Sequence, residues 1–368
     1  MIPLMKPTLP GYEKVEADIK EIFRTGMITN GKFVAEFEKK SAKYLGVKHC
    51  VATASASLGL MVAMSRLKPG SDVIMPGYTF SATYQALLWN NLNAVFVDCD
   101  DYCNIDPTQV EKAITPNTAA ILGVHMFGNP CDAQKLESIA KKQKIELYID
   151  AAHAFGATTY GKKVGGFGSA EIFSLGPTKT LPVGEGCIIS TNSEEVANDI
   201  RLRCNHGQKV HGNMDSALKS VNGRLEEINA AIGIHILDEI DQHIEQRNVL
   251  AERYNGQLKK ISGIEVCMAP KHNRSTYKDF AIFIDKEKFG CDREVLMRKL
   301  LEEGIQTRRY FHPPAHQLEI NKDLFKNVHL PVTEKKSSTT LSLPMYSHMP
   351  GEEVDAVISA IKRVHDSN

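Results

Sequence analysis

An excess of charge of one sign is missing from this chain. Lys plus Arg and Asp plus Glu each total 44 in 368 residues, which leaves no electrostatic footprint for a nucleic-acid partner, so the expected ligand is small. Long apolar runs are missing too. None approaches the roughly 18 residues that a membrane span needs, and Met1-Ile2-Pro3-Leu4-Met5-Lys6-Pro7 lacks the apolar core of a signal peptide. No membrane partner is expected, and the expected compartment is the cytoplasm. Cysteine is scattered: Cys50, Cys99, Cys103, Cys131, Cys187, Cys204, Cys267 and Cys291 include no C-x-x-C pair, so neither a disulfide scaffold nor a zinc site is indicated and no metal is expected. They read as reduced, mostly buried thiols. There is no internal repeat and no low-complexity tract.

What is present is alternation. Short apolar runs at 50–52, 72–75, 94–98, 119–124 and 145–149 are interleaved with helix-period segments at 57–67, 80–90, 107–115 and 132–144. That pattern predicts a largely parallel sheet covered by helices on both faces. Asp106-Pro107 is a well-formed helix start, with a capping carboxylate and proline at the first helical position. From Arg224 to about Leu258 the apolar residues recur at helical spacing without an internal proline, which predicts one long helix or a pair. Beyond it, strands are expected at 264–268 and 279–284 and helices at 292–303 and 351–364. The length favours two domains, expected as a large one over 1–245 and a smaller α+β one over 246–368.

Two residues suggest chemistry. Asp150 ends the apolar run 145–149, and Lys179 follows in Phe173-Ser174-Leu175-Gly176-Pro177-Thr178-Lys179, ahead of Gly184-Glu185-Gly186. A lysine amine can condense with an aldehyde, and a carboxylate at a strand's C-terminal end can hold a pyridine nitrogen protonated, so the pair points to pyridoxal 5'-phosphate. An exposed lysine is mostly protonated at neutral pH, so this use of Lys179 requires desolvation or nearby positive charge. Ser55-Ala56-Ser57 joins a strand to a helix, which would leave the amides of Ala56 and Ser57 for a phosphate, and Ser174 could add a hydroxyl. Phe80 is placed to stack on a ring and His153 to approach a phenolic oxygen. Each also has a plainer reading as a cap or core residue.

The ordered set of these motifs resembles the DegT/StrS-type sugar aminotransferases. It includes Gly26 to Gly31, Phe127-Gly128-Asn129-Pro130, Asn205-His206-Gly207, Asn222-Gly223-Arg224 and Leu341 to Tyr346, and it covers nearly the whole chain. The resemblance implies an α/β chain with the type I pyridoxal-phosphate-dependent aminotransferase fold: a large domain with a mostly parallel central sheet and a smaller α+β C-terminal domain. It implies that Lys179 binds the cofactor covalently and serves as general acid and base, while Asp150 pairs with the pyridine nitrogen. It further implies that Phe80 and His153 contact the ring, that Ser55, Ala56, Ser57 and Ser174 hold the phosphate, and that Asn222 reaches the phosphate of a neighbouring subunit in a homodimer with composite sites.

The implied reaction moves an amino group from an amino acid, L-glutamate by resemblance, to a keto sugar linked to a nucleotide, with pyridoxamine 5'-phosphate between the halves. Arg224 and His316 are the candidate substrate contacts, and a cyclitol ketone stays open as acceptor. Two alternatives are a sugar dehydratase, which in relatives carries histidine in place of the lysine, and a non-catalytic regulatory protein on the same fold. The chain departs from the family pattern at Ser55-Ala56-Ser57, commonly Ser-Gly-Thr, at Cys187, usually glycine, and in the loop 175–178, which lacks the histidine or asparagine often found before the lysine.

Overall fold

The computed structural model describes residues 1–209 and 215–367. A seven-stranded sheet forms its centre, in the edge-to-edge order His49–Thr53, Cys187–Thr191, Ala170–Ser174, Glu146–Asp150, Thr118–Val124, Asp72–Pro76, Asn93–Val97. Cys187–Thr191 runs antiparallel to both neighbours, whereas the pairs from Ala170–Ser174 across to Asn93–Val97 are parallel. The strands are nearly continuous apolar runs because helices cover both faces. The seven expected strands, and the six expected helices outside 224–258, fall on observed elements, with ends displaced by a few residues.

Side-chain caps start several of the covering helices. The hydroxyl of Ser55 accepts from the Leu58 amide ahead of Ala56–Met64, Asp106 accepts from Thr108 ahead of Pro107–Ala113, and Asp132 accepts from Lys135 ahead of Ala133–Gln143. Each satisfies an amide that a helix start leaves open. Cys187 packs where the Ala56–Met64 helix crosses the sheet: a Cβ built on Gly59 would stand 2.9 Å from its sulfur. The sequence departure at Cys187 is thus a packing feature beneath a helix glycine.

Two helices at the N-terminus, Tyr12–Thr25 and Lys32–Leu45, were not expected from the alternating pattern. The second buries Phe33, Phe37, Ser41 and Leu45 at four-residue spacing, against the helix Glu227–Leu237. Its first turn is capped from a distance. The Glu227 carboxylate accepts from the amides of Gly31, Phe33 and Val34 at 2.8, 2.9 and 3.1 Å. The helix Glu194–Cys204 and the strand Thr340–Leu343 were likewise not expected.

The expected segment 224–258 is a pair of helices, Glu227–Leu237 and Ile240–Leu258. Ile240 and Ile244 of the second helix belong to the apolar core beneath the large sheet. Leu250, Ala251, Tyr254 and Leu258 belong to a separate core around a three-stranded sheet ordered Ile264–Val266, Phe280–Ile284, Thr340–Leu343. One helix therefore hands the chain from one core to the other. No disulfide links the eight cysteines among the described residues, six of them are buried, and no helix among the described residues is long and apolar enough to cross a membrane.

Candidate active site

Parallel strands send their C-terminal ends to one edge, where their carbonyls and following loops open a crevice. Ser55 follows the strand His49–Thr53, His125 follows Thr118–Val124, and Asp150 and Ser174 end their own strands. A cavity of about 330 Å³ lies at this edge, the size of a small-molecule site. It is lined by Ser55, Ala56, Ser57, Phe80, Asp150, His153, Ser174 and Lys179 among the sequence candidates. Thr79, His125, Glu185, Lys278, Tyr310 and Phe311 complete much of its wall.

Asp150 is buried. Its Oδ2 accepts from Thr83 Oγ1 at 2.7 Å and its Oδ1 from the Ala152 amide at 3.1 Å. No helix follows it, so the plainer role of a helix cap does not apply. Burial pushes its carboxyl up from the usual range, against the lowering effect of these two hydrogen bonds and of Lys179. A cation beside it would make the anion favourable. His153 is buried, and its Nδ1 has no hydrogen-bond partner. Burial, with the charges of Lys179 and Lys278, holds its imidazole well below the usual range, hence neutral.

Lys179 stands on a tight loop. Its amide donates to the Gly176 carbonyl at 3.0 Å, and the loop is closed by Leu175 donating to Gly186 and Val183 donating to Leu175, each at 2.9 Å. Gly184 lies at φ +101°, a conformation that a side chain would strain. Burial, then the positive charge of Lys278, brings the Lys179 amine down to about 7. At neutral pH a large fraction is therefore the free base, which is what attack on an aldehyde requires.

Phe80 caps its helix at the cavity mouth and is 54% exposed, with its ring 5.6 Å from that of Phe311. The ring of Phe311 also lies 6.1 Å from His153, nearly parallel to it. Three of the candidates do not line this cavity. Asn222 is exposed and accepts from Arg224 Nε at 3.0 Å; both flank Gly223, whose carbonyl accepts from the Ala54 amide at 2.9 Å. His316 is 2% exposed, 3.3 Å from Glu334 and packed against the Phe96 ring. Its Nδ1 is buried without a hydrogen-bond partner among the described residues.

The residues that sequence reasoning missed are Thr79, Thr83, His125, Lys278 and Phe311. Thr79 precedes the N-cap Phe80 and Thr83 lies in the first turn of the helix Ser81–Trp89, and their hydroxyls meet at 2.8 Å.

A family model described as the DegT/DnrJ/EryC1/StrS aminotransferase family matches residues 11–362. The chain belongs to this family. Among its relatives, the dTDP-4-amino-4,6-dideoxy-D-glucose transaminase of Escherichia coli is 32% identical over 361 residues, which is 96% of each chain. The solved structure of DesI in the presence of its TDP-sugar product is 32% identical, with a TM-score of 0.91 over 98% of this chain and 91% of that one. The structure of NtdA from Bacillus subtilis with bound cofactor PMP is 30% identical, with a TM-score of 0.88 over 96% and 82%. This aminotransferase has the type I fold of those enzymes and depends on pyridoxal phosphate.

Proposed function

We propose that this aminotransferase moves the amino group of L-glutamate onto the carbonyl of a nucleotide-linked keto sugar, making an aminosugar for a polysaccharide or similar product. The observation that carries the reading is that the Lys179 amine and the Asp150 carboxyl line one cavity. The sugar products and substrates named for its relatives support the acceptor class.

The residues present fit pyridoxal phosphate. His153 Nδ1 is a buried polar atom without a partner, Asp150 is a buried carboxyl that a ring cation would suit, and the Ala56–Met64 helix starts at the cavity. When bound, the cofactor supplies an electron sink that lets the α-carbon of an amine release its proton. Asp150 would hold the proton on the ring nitrogen, with Thr83 and Ala152 fixing its orientation. The Ala56 and Ser57 amides with the Ser55, Ser57 and Ser174 hydroxyls would hold the phosphate, Phe80 would cover the ring, and His153 would meet its phenolic oxygen. Lys179 Nζ would hold the cofactor and, once free, would take a proton off the donor's α-carbon and pass it to the cofactor in the first half-reaction, then carry a proton from the cofactor to the acceptor's carbon in the second.

Asn222 and Arg224 lie outside the chain's own cavity, which suits a role in a second copy's site, so the working unit we propose is a homodimer in the cytoplasm. We place the domain division at 245/246, inside the helix that joins the two cores. Incubation with nitrogen-15 glutamate and a panel of nucleotide-linked keto sugars tests the reading. A product carrying the heavy nitrogen supports it, and loss of a hydroxyl without nitrogen gain would make the protein a dehydratase.

A further inference from the structure

Among the described residues lining the cavity, only two carry an amine or guanidinium: Lys179 and Lys278. Lys278 precedes the strand Phe280–Ile284 and is 5% exposed. Its Nζ donates to both oxygens of Asp279, at 2.8 and 3.0 Å, and lies 4.9 Å from the centre of the Tyr310 ring. An ammonium has three N–H groups. A single carboxylate takes two at most, so one donor remains for a ligand.

The backbone around this lysine is fixed from both sides. Its amide donates to the Phe127 carbonyl at 3.1 Å, and its carbonyl accepts from Arg247 Nη1 at 3.4 Å. Arg247 is itself buried and also donates to the carbonyls of Tyr277 and Met345. Burying a charge is costly even when it is paired, and a lysine held this firmly at a cavity wall is a candidate for binding. Its charge lowers both Lys179 and His153, which places it within Coulombic reach of the reacting end of the cavity.

We propose that Lys278 anchors the α-carboxylate of the amino-acid donor. The inference rests on the transaminase reading. An amino acid that presents its nitrogen beside Lys179 brings a carboxylate attached to the same α-carbon, so an anion enters this end of the cavity. Lys179 cannot stay a cation, because its free amine moves the proton. Lys278 is the other amine-bearing residue named in the wall, and its two hydrogen bonds to Asp279 keep it aimed. A keto sugar brings no anion to its reacting carbon, so the lysine separates the two half-reactions.

The test compares L-glutamate with γ-aminobutyrate, which has the same skeleton without the α-carboxylate, on holoenzyme of the wild type, Lys278→Met and Lys278→Arg. Cofactor absorbance follows the half-reaction, and calorimetry follows binding of 2-methylglutamate, which lacks the transferable proton. Lys278→Met should lower kcat/KM for glutamate and the affinity for 2-methylglutamate by about 30-fold or more. Because Lys278→Met also removes a positive neighbour of Lys179, the rates are read as ratios: the loss with γ-aminobutyrate and in the sugar half-reaction should be about tenfold or more smaller than the loss with glutamate, and Lys278→Arg should recover part of the glutamate-specific loss. Equal losses with both amines, or unchanged affinity for 2-methylglutamate, would overturn the proposal. A wild type that binds 2-methylglutamate through Lys278 yet transfers no nitrogen would instead sink the transaminase reading.

Discussion

The hydroxyl of Thr83 donates to the carboxylate of Asp150 across 2.7 Å, and the Thr79 hydroxyl lies 2.8 Å from that of Thr83. The carboxylate that faces the cavity is therefore held by a helix start from the neighbouring loop. Asp150→Asn should lower kcat by about 10²–10³-fold, the usual loss when a positioned electrostatic partner is removed. Thr83→Val keeps the charge and frees its orientation, so about tenfold is expected. Steady-state kinetics with saturating cofactor checks both, and a Thr83→Val loss equal to that of Asp150→Asn would argue for a folding defect.

Lys179 should titrate near 7 in the cofactor-free protein, lowered first by burial and then by Lys278. The sign follows directly: below that pH the amine is protonated and inert, above it the free base attacks. Capture of pyridoxal phosphate should rise with pH through about 7 and then level, whereas an ordinary lysine would keep gaining to about 10.4. Lys278→Met removes a positive neighbour and should move the midpoint upward. Stopped-flow absorbance across a pH series gives both curves.

If Asn222 completes a neighbour's site, two inactive variants should repair each other. Lys179→Ala and Asn222→Ala, mixed under conditions that exchange subunits, form hybrids with one intact site, and statistical exchange restores about a quarter of wild-type activity. No recovery in hybrids whose exchange is confirmed by native mass spectrometry would confine each site to one chain.

Glu227 is 1% exposed and caps three amides ahead of and within the Lys32–Leu45 helix. Glu227→Ala leaves those amides without their acceptor and should destabilise the fold by about 2–3 kcal/mol. Urea unfolding read by circular dichroism measures the loss.

The strand and helix alternation was legible because parallel strands are apolar throughout and the helices between them are capped by short polar residues such as Asp106 and Asp132. The N-terminal helices were not, since they belong to no strand-helix repeat and one is capped by Glu227, far away in the chain. At the site, Asp150, Lys179 and the Ser55-Ala56-Ser57 turn stood out because their residue types match the chemistry at strand ends. Lys278 was hidden: Lys-Asp before an apolar run reads as a solvated pair, and only folding of the second core against the first turns it into the cavity. His316 shows the converse, a polar residue near motifs that the fold places beside Phe96 and Glu334 and outside this cavity.

Borohydride reduction of the cofactor-loaded protein, followed by mass mapping of its peptides, tests the central assignment most directly. The account predicts that the reduced cofactor is fixed to the peptide containing Lys179, and that Lys179→Ala loses both this mass and all nitrogen transfer. Cofactor fixed to a different lysine, or full transfer by Lys179→Ala, would contradict it.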